Sequence, residues 1–291
     1  MKMSRALEND HLIAEIADQG AQLIRLYDKD EKREVLWEGD PKYWGWHSPL
    51  LFPNVGGTFQ NVIHCNGREY PAKRHGFARH MRFDWREQGR CYTIHRLTSD
   101  AATRQEYPFL FELTVTHRLN GRNLTVEWQV ENSGVTPMYF TIGGHPAFRL
   151  PGNGRKEAFS LRFPGLSQLN YHLLSEGGTA EPEVYVLKLP EERLPLSDRL
   201  FERDALILDD AQVQEVQLCW RDGTPLVKLS APGFSHFGIW SVSEAPFVCL
   251  EPWLGRCDNT GFTGDISEKP GICRVEPHQK FKAYYTIEVI G

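Results

Sequence analysis

Apolar and polar positions alternate with period two along much of this chain. In FELTVTHRLNGRNLTVEWQVEN (111–132), Phe111, Leu113 and Val115 alternate before Asn120-Gly121, and Leu124, Val126, Trp128 and Val130 alternate after it. That pattern predicts two half-buried strands joined through a type I′ hairpin turn. The same reasoning predicts turns at Asn66-Gly67 and at Asp222-Gly223, the latter between EVQLCW and PLVKLS. REVLW, CYTIHRL and AYYTIEVI read as further short strands, and helical periodicity is confined to one weak stretch, PEERLPLSDRLFERDAL. The chain is therefore expected to be all-β.

No shift in composition divides residues 1–291, which are read as one domain. The segments PGNGRKEAF (151–159) and SEGGTAEPE (175–183) are expected to be surface loops. Hydrophobic residues make up 41% and charged residues 24%, which fits a globular protein and excludes disordered or fibrous classes. The net charge of -5 and the lack of a basic run argue against nucleic acid or an anionic membrane as partners. The N-terminus lacks an apolar core long enough for a signal peptide, so a cytoplasmic location with reduced cysteines is expected for the six thiols. None forms a Cys-x-x-Cys pair.

Three short pieces are expected to hold a polar side chain at a strand end: RHGFARH (74–80), GGHPAF (143–148) and CLEPWLGRCD (249–258). His145 and Glu251 each precede a proline, which restricts the residue before it to extended backbone and removes the next N–H from any ladder. Glu251 emerges from the apolar run APFVCL, where desolvation would raise its pKa toward the range of a general base; the alternative is a carboxylate that caps a loop. Gly143 and Gly144 leave room for a ligand beside His145. His75 reads either as a site residue or as a surface histidine among Lys73, Arg74 and Arg79. His80, His236 and His278 lack such a setting and are expected to be structural or exposed.

Taken in order, SPLLFPNVGG, RHGFARH, FTIGGHPAF, FGIWS and PFVCLEPWLGRCD resemble the aldose 1-epimerase (galactose mutarotase) family, above all its LacX-like branch. The resemblance implies a β-supersandwich with an open sugar cleft and no cofactor. It implies that Glu251 is the general base on the C1 hydroxyl of a pyranose, His145 the general acid at the ring oxygen, and His75 a stabiliser of charge as the ring opens. A sugar-gripping aspartate is expected at Asp204, with Asp209 and Asp210 as alternatives, and an aromatic platform at Trp240 or Phe237. One departure stands out: where the family carries a sugar-binding arginine after Val-Gly, this chain reads Val55-Gly56-Gly57-Thr58, so Arg74 or Arg79 is the candidate replacement. The expected partner is a small sugar, bound by a monomer or homodimer. Three other readings remain open: a sugar-binding or sensing protein with little turnover, a hexose-6-phosphate mutarotase using basic groups around His75, and a zinc site of the His2Glu kind. The expectation for metal is none, since no local ligand spacing is present.

Overall fold

A computed structural model describes residues 3–152 and 154–291; Met1, Lys2 and Asn153, the last inside the 151–159 loop, lie outside the described residues. The predicted hairpin forms between strands Phe111–Asn120 and Asn123–Asn132, which bury every second side chain against the core. Asn120 pairs with Asn123, so the loop residues are Gly121 and Arg122, and only Gly121 has positive φ. That is the arrangement of a II′ turn, shifted by one residue from the expected I′ turn. At Asn66-Gly67 both loop residues have positive φ, as a I′ turn requires. Asp222-Gly223 closes a longer loop in which Gly223, at φ +101°, sits next to a bulge in the Glu215–Trp220/Pro225–Ser230 pair.

Two large sheets carry the fold. The first is nine-stranded and antiparallel, and holds the 111–132 hairpin at its middle next to Lys280–Val289. The second is six-stranded and runs Leu206–Leu208, His236–Trp240, Phe247–Leu254, Ile142–Gly144, Leu50–Leu51, with Ala147–Arg149 also on the Phe247–Leu254 strand. The main core lies between them: Phe111 and Trp128 from the first sheet and Phe237, Ile239 and Leu250 from the second are buried there, joined by Phe52, which meets Phe111 at 5.0 Å between ring centroids, and Phe140, which meets Phe281 at 5.4 Å. Burying a side chain of this size stabilises the fold by roughly 1.5–3 kcal/mol. A four-stranded sheet from Ser4 to Glu34 packs alongside.

The helical expectation over PEERLPLSDRLFERDAL fails. That stretch forms 3-10 turns at Pro190–Glu192 and Asp198–Phe201, with strands Arg193–Pro195 and Leu206–Leu208 around them. Pro190 and Pro195 interrupt any continuous helical ladder, and Leu194, Leu196 and Phe201 bury as single anchors. No helix is long and apolar enough to cross a membrane among the described residues.

Candidate functional site

Strand register explains why His145 and Glu251 meet. On one side of His145, Gly143 pairs with Trp253; on the other, Ala147 pairs with Cys249. Both pairs belong to one antiparallel register, so His145 falls opposite Glu251, and Glu251 in turn pairs with Gly238. Directly opposed residues in an antiparallel pair project from the same face. That face is the one turned away from the main core, and it carries His145, Cys249, Glu251, Trp253, Trp240 and Ile207.

The row is levelled by glycine. A Cβ on Gly143 would sit 2.4 Å from Trp253 Cδ1, and one on Gly238 would sit 2.4 Å from the far edge of the same ring. The Trp253 indole therefore lies flat across its two neighbouring strands and forms a floor beside Glu251. Trp44 forms a wall, stacking on the His145 imidazole at 4.8 Å and 25°. Its backbone carbonyl accepts a hydrogen bond from the Trp37 indole at 2.9 Å, and Trp37 is buried against Phe247, which fixes the 40–44 turn over the sheet.

His75 arrives from outside the sheet at φ +68°, in the left-handed region. Its backbone N–H donates to the Gly56 carbonyl at 2.9 Å, and its Nδ1 accepts from the Gly56 N–H at 3.1 Å. With Nδ1 occupied as an acceptor, the neutral ring carries its proton on Nε2. The ring meets that of His145 edge to face at 5.6 Å. His75 is 9% exposed, so the surface-histidine alternative does not hold.

His75, His145, Glu251, Trp240, Trp253 and Ile207 line a cleft together with Arg74, Asp204, Leu174, Ala205 and Cys257. His145 Nε2 lies 3.2 Å from Glu251 Oε2, close but not aligned as a hydrogen bond. Among the described residues, no protein group satisfies Glu251 Oε2, His145 Nδ1 or the Trp253 indole N–H, although all three are buried. Unpartnered buried polar atoms at a cleft wall are positions where ligand hydroxyls can bond. Burial raises the Glu251 carboxyl well above the usual range, with Asp204 adding to the shift and Arg74 and Trp253 opposing it. Burial likewise pushes the His145 imidazole down to about 3, helped by the Arg79 and Arg74 guanidiniums. His75 is also lowered, by burial first and then by His145 and the same two arginines. Both members of the His145–Glu251 pair are thus driven toward their neutral forms, and protons on such a pair are shared between the two groups.

Across the mouth, Arg74 Nη2 pairs with Asp204 Oδ2 at 3.1 Å, and both side chains are partly exposed. Arg79 does not line the cleft; it lies over the Trp46 ring and donates to the Arg74 carbonyl at 3.0 Å. Of the three candidate aspartates, Asp204 reaches the cleft, whereas Asp209 is engaged by Arg256 at 2.8 and 3.0 Å and Asp210 stays outside. Of the two candidate aromatics, Trp240 lines the cleft. Phe237 does not: three residues earlier on the same strand, it faces the opposite way, is 1% exposed and packs in the main core. Lys73 turns to Glu106 and so does not join Arg74 in a basic cluster. The alternative reading of a zinc set of two histidines and a glutamate does not hold. Among the described residues, the donor atoms that gather within 4.8 Å belong to His145, Cys249 and Glu251, without His75.

The missing arginine has a steric reason. A Cβ on Gly57 would meet the Gly178 and Gly177 carbonyl oxygens at 2.9 and 3.0 Å, because the 175–180 loop docks there through a hydrogen bond from the Gly57 N–H to the Gly178 carbonyl. The loop is therefore built into the site wall rather than free on the surface, and its Gly178 lies against the Arg74 guanidinium. From below, the Asp258 N–H donates to the Gly57 carbonyl, and the Asp258 carboxylate is held by buried Lys269 at 2.7 Å. Leu174 and Cys257, which line the cleft, and Trp44, which stacks on His145, were missed in the sequence because each is brought there by contacts distant along the chain. The density of aromatics in KYWGWH was the one available signal for Trp44.

A family model described as aldose 1-epimerase matches residues 4–260. The chain belongs to the aldose 1-epimerase family. It is 30% identical to the plasmid-encoded protein LacX of Lactococcus lactis subsp. lactis, over 99% of this chain and 100% of that one. Among solved structures it is similar to a galactose mutarotase related enzyme from Lactobacillus acidophilus, with a TM-score of 0.91 at 27% identity over 99% and 98% of the two chains. A galactose mutarotase-like protein from Lactobacillus casei ATCC 334 gives the same score and identity over 99% and 100%. The fold is the galactose mutarotase-like β-supersandwich, and the family's activity is that of an isomerase acting on the anomeric carbon of a sugar.

Proposed function

We propose that this epimerase interconverts the α and β anomers of an aldohexose, with Glu251 and His145 as the proton-transfer pair. The observation that carries this reading is the 3.2 Å approach of His145 Nε2 to Glu251 Oε2 at the wall of a cleft. In the empty site, desolvation favours a neutral carboxyl beside a neutral imidazole. A bound pyranose brings hydroxyl donors and a ring-oxygen acceptor that stabilise the alternative, a carboxylate beside an imidazolium, holding the same number of protons. Glu251 then takes the proton of the C1 hydroxyl while His145 gives one to the ring oxygen, and the C1–O5 bond breaks to leave the open-chain aldehyde. Rotation about C1–C2 and reclosure with the proton steps reversed give the other anomer. His75, with Nε2–H free to donate, supports the developing charge. Trp240 and Trp253 offer apolar faces to sugar C–H groups, and Arg74 with Asp204 grips ring hydroxyls, Arg74 serving where Gly57 cannot.

A second reading has its own support. Arg74 lines the cleft and Arg79 stands behind it, donating to its backbone carbonyl, so this side of the cleft would suit a sugar bearing an anionic group such as a 6-phosphate. Following the optical rotation of freshly dissolved α-D-glucose, α-D-galactose and glucose 6-phosphate with the folded protein tests both readings. Acceleration for the neutral sugars supports the first, preference for the phosphate supports the second, and no acceleration of any would defeat both. Six free thiols fit a cytoplasmic setting for this chemistry.

A further inference from the structure

Cys249 takes no part in the proton transfers above, yet it stands two residues before Glu251 on the same face of the same strand. It pairs with Ala147 on one side and Trp240 on the other, one row away from His145. An imidazole nitrogen, a carboxylate oxygen and a thiol sulfur, all on buried residues, thus come within 4.8 Å of one another. We propose that His145, Cys249 and Glu251 form an inhibitory binding site for a thiophilic divalent cation of the zinc class.

These are the three donor types zinc accepts, and tetrahedral bonds of about 2.0–2.3 Å would draw them to roughly 3.5 Å apart. That contraction is within the reach of side-chain rotation on a fixed sheet. Three protein ligands leave a fourth position, which opens to the cleft where Glu251 Oε2 has no protein partner. The cation displaces the Cys249 thiol proton and any proton held between His145 and Glu251, and these leave to solvent. Affinity therefore rises with pH. Coordination removes Glu251 and His145 from acid–base work, so the cation blocks turnover and competes with the sugar. The blocking effect rests on the proton-transfer reading; the binding does not.

Two measurements on the full chain test this: zinc titration of mutarotation, and addition of cobalt(II) with detection of the sulfur-to-cobalt charge-transfer band. The wild type is expected to show the band and to be inhibited competitively and reversibly by zinc. Cys249→Ala is expected to keep its basal rate, lose the band and need about 10–100-fold more zinc for the same inhibition. Cys249→Ser should behave likewise if alanine perturbs packing, and Cys257→Ala should retain the band. A wild type with no band, or a Cys249→Ala protein with undiminished zinc sensitivity, overturns the proposal. A band that depends on Cys249 in a protein without mutarotation would keep the metal site and remove the proton-transfer reading.

Discussion

His145 and His117 invite comparison. Both are almost fully buried, at 6% and 2% exposure, and in both burial pushes the pKa down to about 3. Both leave Nδ1 without a protein partner among the described residues. His117, however, lies between the two sheets in a small interior cavity with Ser48, Trp128 and Tyr285, and the other charged-group influence on it is His95, itself buried. His145 lies on the outward face of the six-stranded sheet, 3.2 Å from a carboxylate and at the wall of a cleft. A strongly shifted pKa therefore records desolvation in both places. It becomes chemistry only where a second titratable group and an opening for a ligand coincide.

The comparison is sharpened most by removing the pair. Glu251→Gln and His145→Asn are each expected to lower kcat by about 10²–10⁴, the usual worth of a positioned acid or base, while His117→Asn leaves kcat unchanged. Equal losses from all three variants would erase the distinction. Next in size is Gly143→Ala, whose Cβ would lie 2.4 Å from Trp253 Cδ1. Displacing that indole should cost about 1–3 kcal/mol of stability, readable in denaturant melts, together with activity.

Acid sensitivity should not separate the two histidines. A group whose folded pKa is depressed contributes stability above its unfolded pKa, and that contribution is lost as pH falls toward the folded value. As pH falls from 6.5 toward about 3, His117 and His145 should each remove stability, because the unfolded chain takes up a proton that the buried imidazole does not. His117→Phe should flatten the acid limb of stability without altering the pH dependence of turnover; an unchanged limb would mean that the interior histidine already titrates normally. The smallest effects belong to the cleft mouth. Arg74→Ala should raise KM about tenfold, the worth of one charge-assisted hydrogen bond. Because its ion pair with Asp204 is partly exposed, stability should shift by less than about 1 kcal/mol.

Much of this was legible in the chain. Period-two alternation gave the 111–132 hairpin, and the proline after His145 marked the break between strands Ile142–Gly144 and Ala147–Arg149; Glu251, expected at a strand end, instead lies within Phe247–Leu254, with Pro252 inside the strand. The loop of that hairpin was displaced by one residue because pairing continues through Asn120, which local turn chemistry does not report. Phe237 and Trp240 look equivalent within FGIWS, but their three-residue spacing puts them on opposite faces, and only strand pairing says which face meets the cleft. Gly57 read as a loss, although its reason is a loop about 120 residues away that fills the position a side chain would occupy. Local pattern carried the residues whose constraint is local; residues fixed by distant packing needed the fold.

The central claim is that Glu251 is the base of a mutarotase. The most direct measurement is the rate at which the optical rotation of fresh α-D-galactose decays with wild-type protein and with Glu251→Gln, each shown to be folded. The account predicts acceleration by the wild type that disappears in the variant. A Glu251→Gln protein that accelerates the decay as well as the wild type would contradict it.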